Sequence, residues 1–292
     1  MMISPTSLFK TGTKLSNILP RKISNSLKFR FLSRINATGK ILNEVHPGVF
    51  LELDLSDWLQ RLYYLGFAEQ NTFKLIKRLL PVGGTFVDVG ANIGIYTCVM
   101  ADYMGSTGSV IAFEPMAENL APLYQNIALN QFNNIDVKEL ALSNCPGSFN
   151  LYVPDSHQQG SSGCTQVWNP GDWVSVGTTP VTTLDLVFQK ERLDFIKIDT
   201  QGHELEILEG AKSTIECFQP FILCEVSQEN RTKVFDLMKT WDYDIFRETH
   251  DGFLTPSLPS SGWVDVYLIP QGKVEKVTAL LSKNIKHDFN NR

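Results

Sequence analysis

The chain predicts an α/β fold in which a mostly parallel, seven-stranded sheet ends in an antiparallel hairpin. Three observations carry that expectation. TFVDVGANIGIYT, residues 85–97, reads as a buried strand, a tight glycine turn and the start of a helix. From residue 85 to 143, strand-like and helix-like segments alternate, which implies parallel strands joined by right-handed crossovers. YDIFRET (243–249) and WVDVYLIP (263–270) then follow each other with no helix between them, as antiparallel neighbours do.

The elements follow in order. Residues 1–45 form a basic N-terminal extension, and its first 40 residues hold eight Lys or Arg and no acid. Residues 46–80 read as a helical lead-in, because DLSDWLQRLYYLG and NTFKLIKRLL place apolar residues on one face. The strand TFVDVG, the helix IYTCVMADYM, the strand SVIAFEP and the helix AENLAPLYQNIALNQ come next, and IDVKELALS supplies a third strand. Over 144–180 Gly, Ser, Asn and Pro are frequent, so this stretch is an insertion or lid candidate with FNLYV as a short strand. Regularity resumes at VTTLDLVF, followed by the strand DFIKIDT, one helix over HELEILEGAKSTIECF, the strand PFILCEVS and the helix NRTKVFDLMKTW. Residues 81–270 thus form one domain, with 271–292 as a C-terminal tail.

At 292 residues the chain suits one core, and no apolar run reaches the roughly 20 residues of a membrane-spanning helix. Beyond residue 40, 18 basic residues face 31 acidic ones, which argues against nucleic acid as a partner. The five cysteines are odd in number and lack metal-ligand spacing, so they read as buried thiols of a reducing, cytoplasmic compartment. The N-terminal 40 residues also suit a transit peptide, or an arm lying on an anionic membrane surface through Leu27, Phe29 and Phe31.

The glycine turn carries the chemistry. Its spacing is D-x-G-x-N-x-G, from Asp88, Gly90, Asn92 and Gly94, where a dinucleotide fingerprint would read G-x-G-x-x-G. Asn tolerates a left-handed backbone, so Asn92 can hold the middle glycine position. An acid ending the strand suits a ligand with positive charge nearby, such as the ammonium and sulfonium of S-adenosylmethionine, whereas a dinucleotide presents pyrophosphate. Glu114 ends the second strand, where a carboxylate can accept from both ribose hydroxyls. Ala141 and Leu142, after the third strand, are positioned for the adenine. The expected cofactor-binding set is Asp88, Gly90, Ala91, Asn92, Gly94, Tyr96, Thr97, Glu114, Pro115, Asn119, Ala141 and Leu142.

VDVGANIGIYT, FEPMAENLAPLYQNIALN, VTTLDLVF and DFIKIDTQGHELEILEGA followed by ILCEVS together resemble the FkbM family of S-adenosylmethionine-dependent methyltransferases, over about residues 55–270. The resemblance implies the Rossmann-like fold of class I methyltransferases. It also implies O-methyl transfer to a hydroxyl of a sugar, glycan or secondary metabolite. An NAD-dependent sugar-modifying oxidoreductase and a non-catalytic binding protein of the same fold are the alternatives.

A hydroxyl is a weak nucleophile, so a base or a metal has to help remove its proton. Asp199 and Glu225 end two adjacent strands and are placed either to share a divalent ion or to supply the base. Lys197 lies on the face of Asp199 and can hold a carboxylate ionised. Glu204 and His203 open the next helix as further catalytic candidates, each with a capping role as the plain reading. Tyr63, Tyr64 and Glu69 are lid candidates, and His157, Trp168 and Trp173 in the insertion, with His250 and Asp251, are undecided.

Overall fold

The computed structural model describes residues 38–66, 69–154, 163–165, 173–249, 254–259 and 261–283. The extension up to residue 37, on which the transit-peptide and membrane readings rest, lies outside them, as do His157, Trp168, His250 and Asp251. Among the described residues, no helix is long and apolar enough to cross a membrane.

A hairpin of β1 (Lys40–His46) and β2 (Val49–Asp54) opens the fold, so the boundary expected at residue 45 falls inside a strand and the lead-in is not purely helical. Val45, Val49, Leu51 and Leu53 alternate onto one buried face, a period-2 signal that the neighbouring charges obscure in the sequence. The helices α1 (Trp58–Leu65) and α2 (Gln70–Leu79) complete the lead-in. Then come β3 (Thr85–Val89), α3 (Ile95–Met104), β4 (Ser109–Phe113), α4 (Ala117–Leu129) and β5 (Ile135–Lys138). The short β6 (Ala141–Leu142) leaves the main sheet and joins β7 (Gly147–Pro154), β8 (Gly163–Thr165) and β9 (Trp173–Thr182) in a second sheet, ordered β6-β9-β7-β8. The irregular composition of 144–180 thus conceals a small sheet rather than a loop.

Beyond a short α5 (Leu184–Val187) lie β10 (Phe195–Ile198), α6 (Glu204–Glu209), α7 (Lys212–Phe218), β11 (Phe221–Val226), α8 (Arg231–Thr240), β12 (Tyr243–Glu248), β13 (Leu254–Thr255), β14 (Val264–Pro270) and α9 (Gln271–Lys283). The single helix expected over 203–218 is broken at Gly210, whose absent Cβ would stand 1.9 Å from the Ser143 carbonyl oxygen. The expected tail begins with the helix α9, which buries Val277.

The main sheet has eight strands rather than seven, ordered β13-β12-β14-β11-β10-β3-β4-β5, the eighth being the two-residue β13 at the edge. β3, β4, β5, β10 and β11 are parallel, and β14 runs antiparallel between β11 and β12. Two cores follow from the strand period. Phe86, Val110, Phe195 and Leu223 face the hairpin and α1 to α3, while Val87, Ile111, Ile196 and Ile222 face α6 to α8. Asn126 on α4 ties the hairpin to the glycine turn. Its Oδ1 accepts from Glu52 N at 2.8 Å, and its Nδ2 donates to the Ile93 carbonyl at 2.9 Å.

Candidate active site

A cavity of about 240 Å³ opens at the carboxyl ends of β3, β4, β10 and β11, roofed by α1, by Glu69 before α2, and by Leu151 of β7. Parallel strands leave this edge free because their crossovers begin there, which is why open α/β sheets bind ligands at it.

The turn after β3 is shaped by backbone proximity. Gly90 has φ +79°, and a Cβ there would sit 2.0 Å from the Asp199 carbonyl oxygen, so the glycine is required by the adjacent strand end. Gly94, with φ +92°, lies against Leu123 of α4, where a Cβ would meet Cδ1 at 2.7 Å. Asn92 is left-handed as expected, with φ 52°, and its Oδ1 accepts from Ile93 N at 2.7 Å. Gly90 N and Ala91 N both donate to the Phe113 carbonyl at 3.0 Å, which pins the turn to β4.

Glu114 is buried at the cavity wall and accepts from Asn92 N (2.7 Å), Met116 N (2.9 Å) and Asn119 Nδ2 (3.1 Å). Burial pushes its carboxyl up, and these donors oppose the shift. Gly90, Ala91, Asn92, Tyr96, Pro115 and Asn119 line the cavity as expected.

Asp88, Gly94, Thr97, Ala141 and Leu142 do not line it. Asp88 is wholly buried, accepts from Thr97 Oγ1 at 2.6 Å and faces Lys197 Nζ at 3.5 Å. Its charge is met from inside the protein, which corrects the expectation that it greets a cationic ligand. Ala141 and Leu142 are buried in β6, because the chain turns there into the second sheet.

On the other side stand Asp199 and Glu225. Lys197 Nζ lies 3.4 Å from Asp199 and donates to the Gly90 carbonyl at 3.1 Å. Burial lowers the lysine, but the Asp199 and Asp88 carboxylates outweigh it and hold the ammonium charged well above the usual lysine range. Gln201 Nε2 stands 3.2 Å from both Asp199 Oδ1 and Glu225 Oε2 and joins the two. Burial, then repulsion from Asp199 and Asp265, pushes Glu225 up to about 9, so it carries a proton at neutral pH. Asp265 faces Glu225 across the β11–β14 pair.

The metal expectation finds no support in this donor set: the Gln201 amide bridges the two carboxylates, and among the described residues no group of three or more metal-ligating side chains converges. Glu204 and His203 are also redirected. The Oε1 of Glu204 accepts from Thr200 N, Thr200 Oγ1 and Gly202 N at 2.9–3.2 Å, closing the loop before α6 from within the core. His203 packs edge-on against Phe149, its Nε2 lies 2.9 Å from Ser143 Oγ, and burial pushes its ring down. Neither reaches the cavity.

Of the lid candidates, Tyr63 and Glu69 line the cavity, and the Tyr96 hydroxyl donates to Glu69. Three of the six non-glycine residues with positive φ among those described, Glu69, Asn92 and Gln201, line this one cavity. Polar lining residues that escaped the sequence reading include Gln201 and Asp57. A cap signal existed for Asp57 in the D-x-x-Q spacing to Gln60, while Gln201 had no local signal. Cys98 and Cys224 are buried as expected, but Cys145 and Cys217 are exposed.

The sequence model of the methyltransferase FkbM domain matches residues 88–250, more than half of the chain. The chain belongs to the FkbM methyltransferase family. The matching model describes a methyltransferase domain, and the main sheet, parallel from β5 to β11 with β14 antiparallel beside it, is the mostly parallel sheet expected of a class I methyltransferase fold.

Among curated proteins, the hexuronic acid methyltransferase AglP of Haloferax volcanii is 24% identical over 161 residues, covering 54% of this chain and 62% of that protein. The ribosomal RNA large subunit methyltransferase E of Hahella chejuensis is 31% identical over 86 residues, covering 28% of this chain and 38% of that protein. The chain thus spans less than two thirds of either relative. Of solved structures, an FkbM methyltransferase from Methylobacillus flagellatus is 18% identical with a TM-score of 0.43, over 72% of this chain and 54% of that one. A SAM-dependent methyltransferase from Aquifex aeolicus is 14% identical with a TM-score of 0.42, over 69% and 89% respectively.

Proposed function

We propose that the chain transfers the methyl group of S-adenosylmethionine to a hydroxyl of a sugar, glycan or comparable polyhydroxylated small molecule. The observation that carries this reading is the pairing at the strand ends, the lysine-paired carboxylate of Asp199 beside Glu225, whose carboxyl is pushed up to about 9. Asp199 is held by Lys197 and is half-open to the cavity, with its side chain 40% exposed. Glu225 keeps its proton at neutral pH. An alkyl hydroxyl needs a base at the moment of attack, and a carboxylate facing the donor's methyl is such a base.

The donor supplies an electrophilic methyl on sulfur. Glu114 would hold a ribose hydroxyl through Oε2, which accepts one hydrogen bond where Oε1 accepts two. The N-terminus of α3, whose Ile95 and Tyr96 touch the cavity, would favour the donor's carboxylate. Tyr63, Tyr96 and Leu151 exclude water, and Asp199 takes the hydroxyl proton as the oxygen attacks in line. A carbohydrate acceptor draws support from the named activity of the Haloferax relative and from the acidic charge of the chain beyond residue 40, which disfavours nucleic acid.

Methyl-labelled S-adenosylmethionine offered with a panel of mono- and oligosaccharides tests the reading, with mass and NMR analysis of the product. A methyl ether is expected, and Asp199→Asn should lower kcat by about 10²–10⁴-fold while donor binding persists. An N-methyl product, or full activity in Asp199→Asn, would overturn it.

A further inference from the structure

Reading the cavity as the donor site leaves the methionyl ammonium of S-adenosylmethionine without a counter-charge. Asp88, the acid expected to meet it, is behind the wall and paired with Lys197. Glu69 accepts from the Tyr96 hydroxyl, Glu114 accepts three donors, and Asp199 holds Lys197 and Gln201.

Asp57 is differently placed. It is the N-cap of α1, with an extended backbone at φ −77°, ψ 131°, and its Oδ1 accepts from Gln60 N at 2.8 Å, which fixes the rotamer. Its other oxygen, Oδ2, is buried with no hydrogen-bond partner, and the whole residue is only 2% exposed. Among the described residues, Asp88, Glu204 and Glu206 also have a buried carboxylate oxygen without a hydrogen bond, but of these four acids Asp57 alone lines the cavity. It stands where that cavity meets a second one of about 220 Å³, and Asn92 and Ile93 of the glycine turn touch both.

We propose that Asp57 Oδ2 receives the donor's primary ammonium. This assignment rests on the reading of the cavity as the donor site. A cap needs one oxygen, and Asn or Ser would supply it without charge. A second, desolvated carboxylate oxygen is costly unless a donor meets it, and a cation meets it best. The ligand class is an adenosine carrying an amino-acid side arm. Because Asn126 and Asp57 approach the glycine turn from opposite ends of β2 and its following loop, the hairpin carries the recognising acid to the turn.

Calorimetric titration of the full chain and of Asp57→Asn with two ligands tests this. S-adenosylhomocysteine carries the ammonium, and 5′-methylthioadenosine lacks the whole amino-acid arm. Asparagine preserves the cap and the volume. We expect the variant to bind S-adenosylhomocysteine on the order of tenfold or more weakly, with 5′-methylthioadenosine affinity and Tm unchanged. Equal affinity of both proteins for S-adenosylhomocysteine, or the same loss with both ligands, would overturn the assignment. A wild-type chain that binds neither ligand would overturn the donor-site reading beneath it.

Discussion

On the β3–β4 side of the cleft, both oxygens of Glu114 are met by neutral N–H donors, whereas on the β10–β11–β14 side Asp199, Glu225 and Asp265 repel one another and Lys197 pairs with Asp199 alone of the three. The first arrangement is held in place before any ligand arrives, and little of it has to reorganise when one does. In the second, burial and then the repulsion of its neighbours raise Glu225 to about 9, so this carboxyl gives up its proton only above neutral pH. One sheet edge thus offers a fixed binding surface and, two strands away, a titrating one.

The largest expected break in that contrast is Lys197→Met. It strips the counter-charge from the fully buried Asp88 and from Asp199 together, and losing one partner of a buried pair costs about 3–5 kcal/mol. Urea denaturation at neutral pH measures it, and adding Asp88→Asn should recover part of the loss. Next comes Gly90→Ala on the fixed side. A methyl aimed at the Asp199 carbonyl from a left-handed backbone should cost about 2–4 kcal/mol and move the donor turn, read by denaturation and by S-adenosylhomocysteine affinity.

Near pH 5 the smallest effect is expected for Glu225→Gln, which mimics the protonated state. The folded carboxyl is raised to about 9 from the ordinary 4.5, so the folded chain binds this proton more tightly than the unfolded one. Its contribution is therefore fully present below 4.5 and is lost as pH rises towards 9. Wild type and variant should have similar Tm values near pH 5, and the variant should melt higher at pH 9, as scanning calorimetry would show. Methyl transfer at pH 7 should change little in this variant, in contrast to Asp199→Asn.

The acids at the strand ends were readable because the strand period and the alternation of strand and helix fix where Asp199 and Glu225 emerge and on which face Lys197 lies. What a strand-end acid does was less readable. Asp88 and Asp199 look alike in sequence, and only the register of Lys197 opposite Asp88 makes the first structural and leaves the second open to the cleft. The β1–β2 hairpin was hidden because its polar face is densely charged and it adjoins the basic extension. The second sheet was hidden because its strands are rich in turn formers and one face of β9 is largely exposed. Glu204 and His203 carried a helix-start signal that proved to be capping and packing: Glu204 takes its partners Thr200 and Gly202 from its own loop, while the partners of His203, Ser143 and Phe149, are brought by tertiary contacts no local pattern shows.

The contact between Gly90 and the Asp199 carbonyl bears on how such an enzyme can change. With no room for even a methyl group between donor turn and proposed base strand, the spacing of these two parts is a single inherited dimension and cannot drift in small steps. A change of ligand has to be accommodated elsewhere, by reshaping β7, α1 or the turn before α2, whose side chains reach the cavity without setting that spacing. A graft exchanging residues 147–182 between relatives would then alter what the cavity admits and leave the spacing of Gly90 and Asp199 as it was.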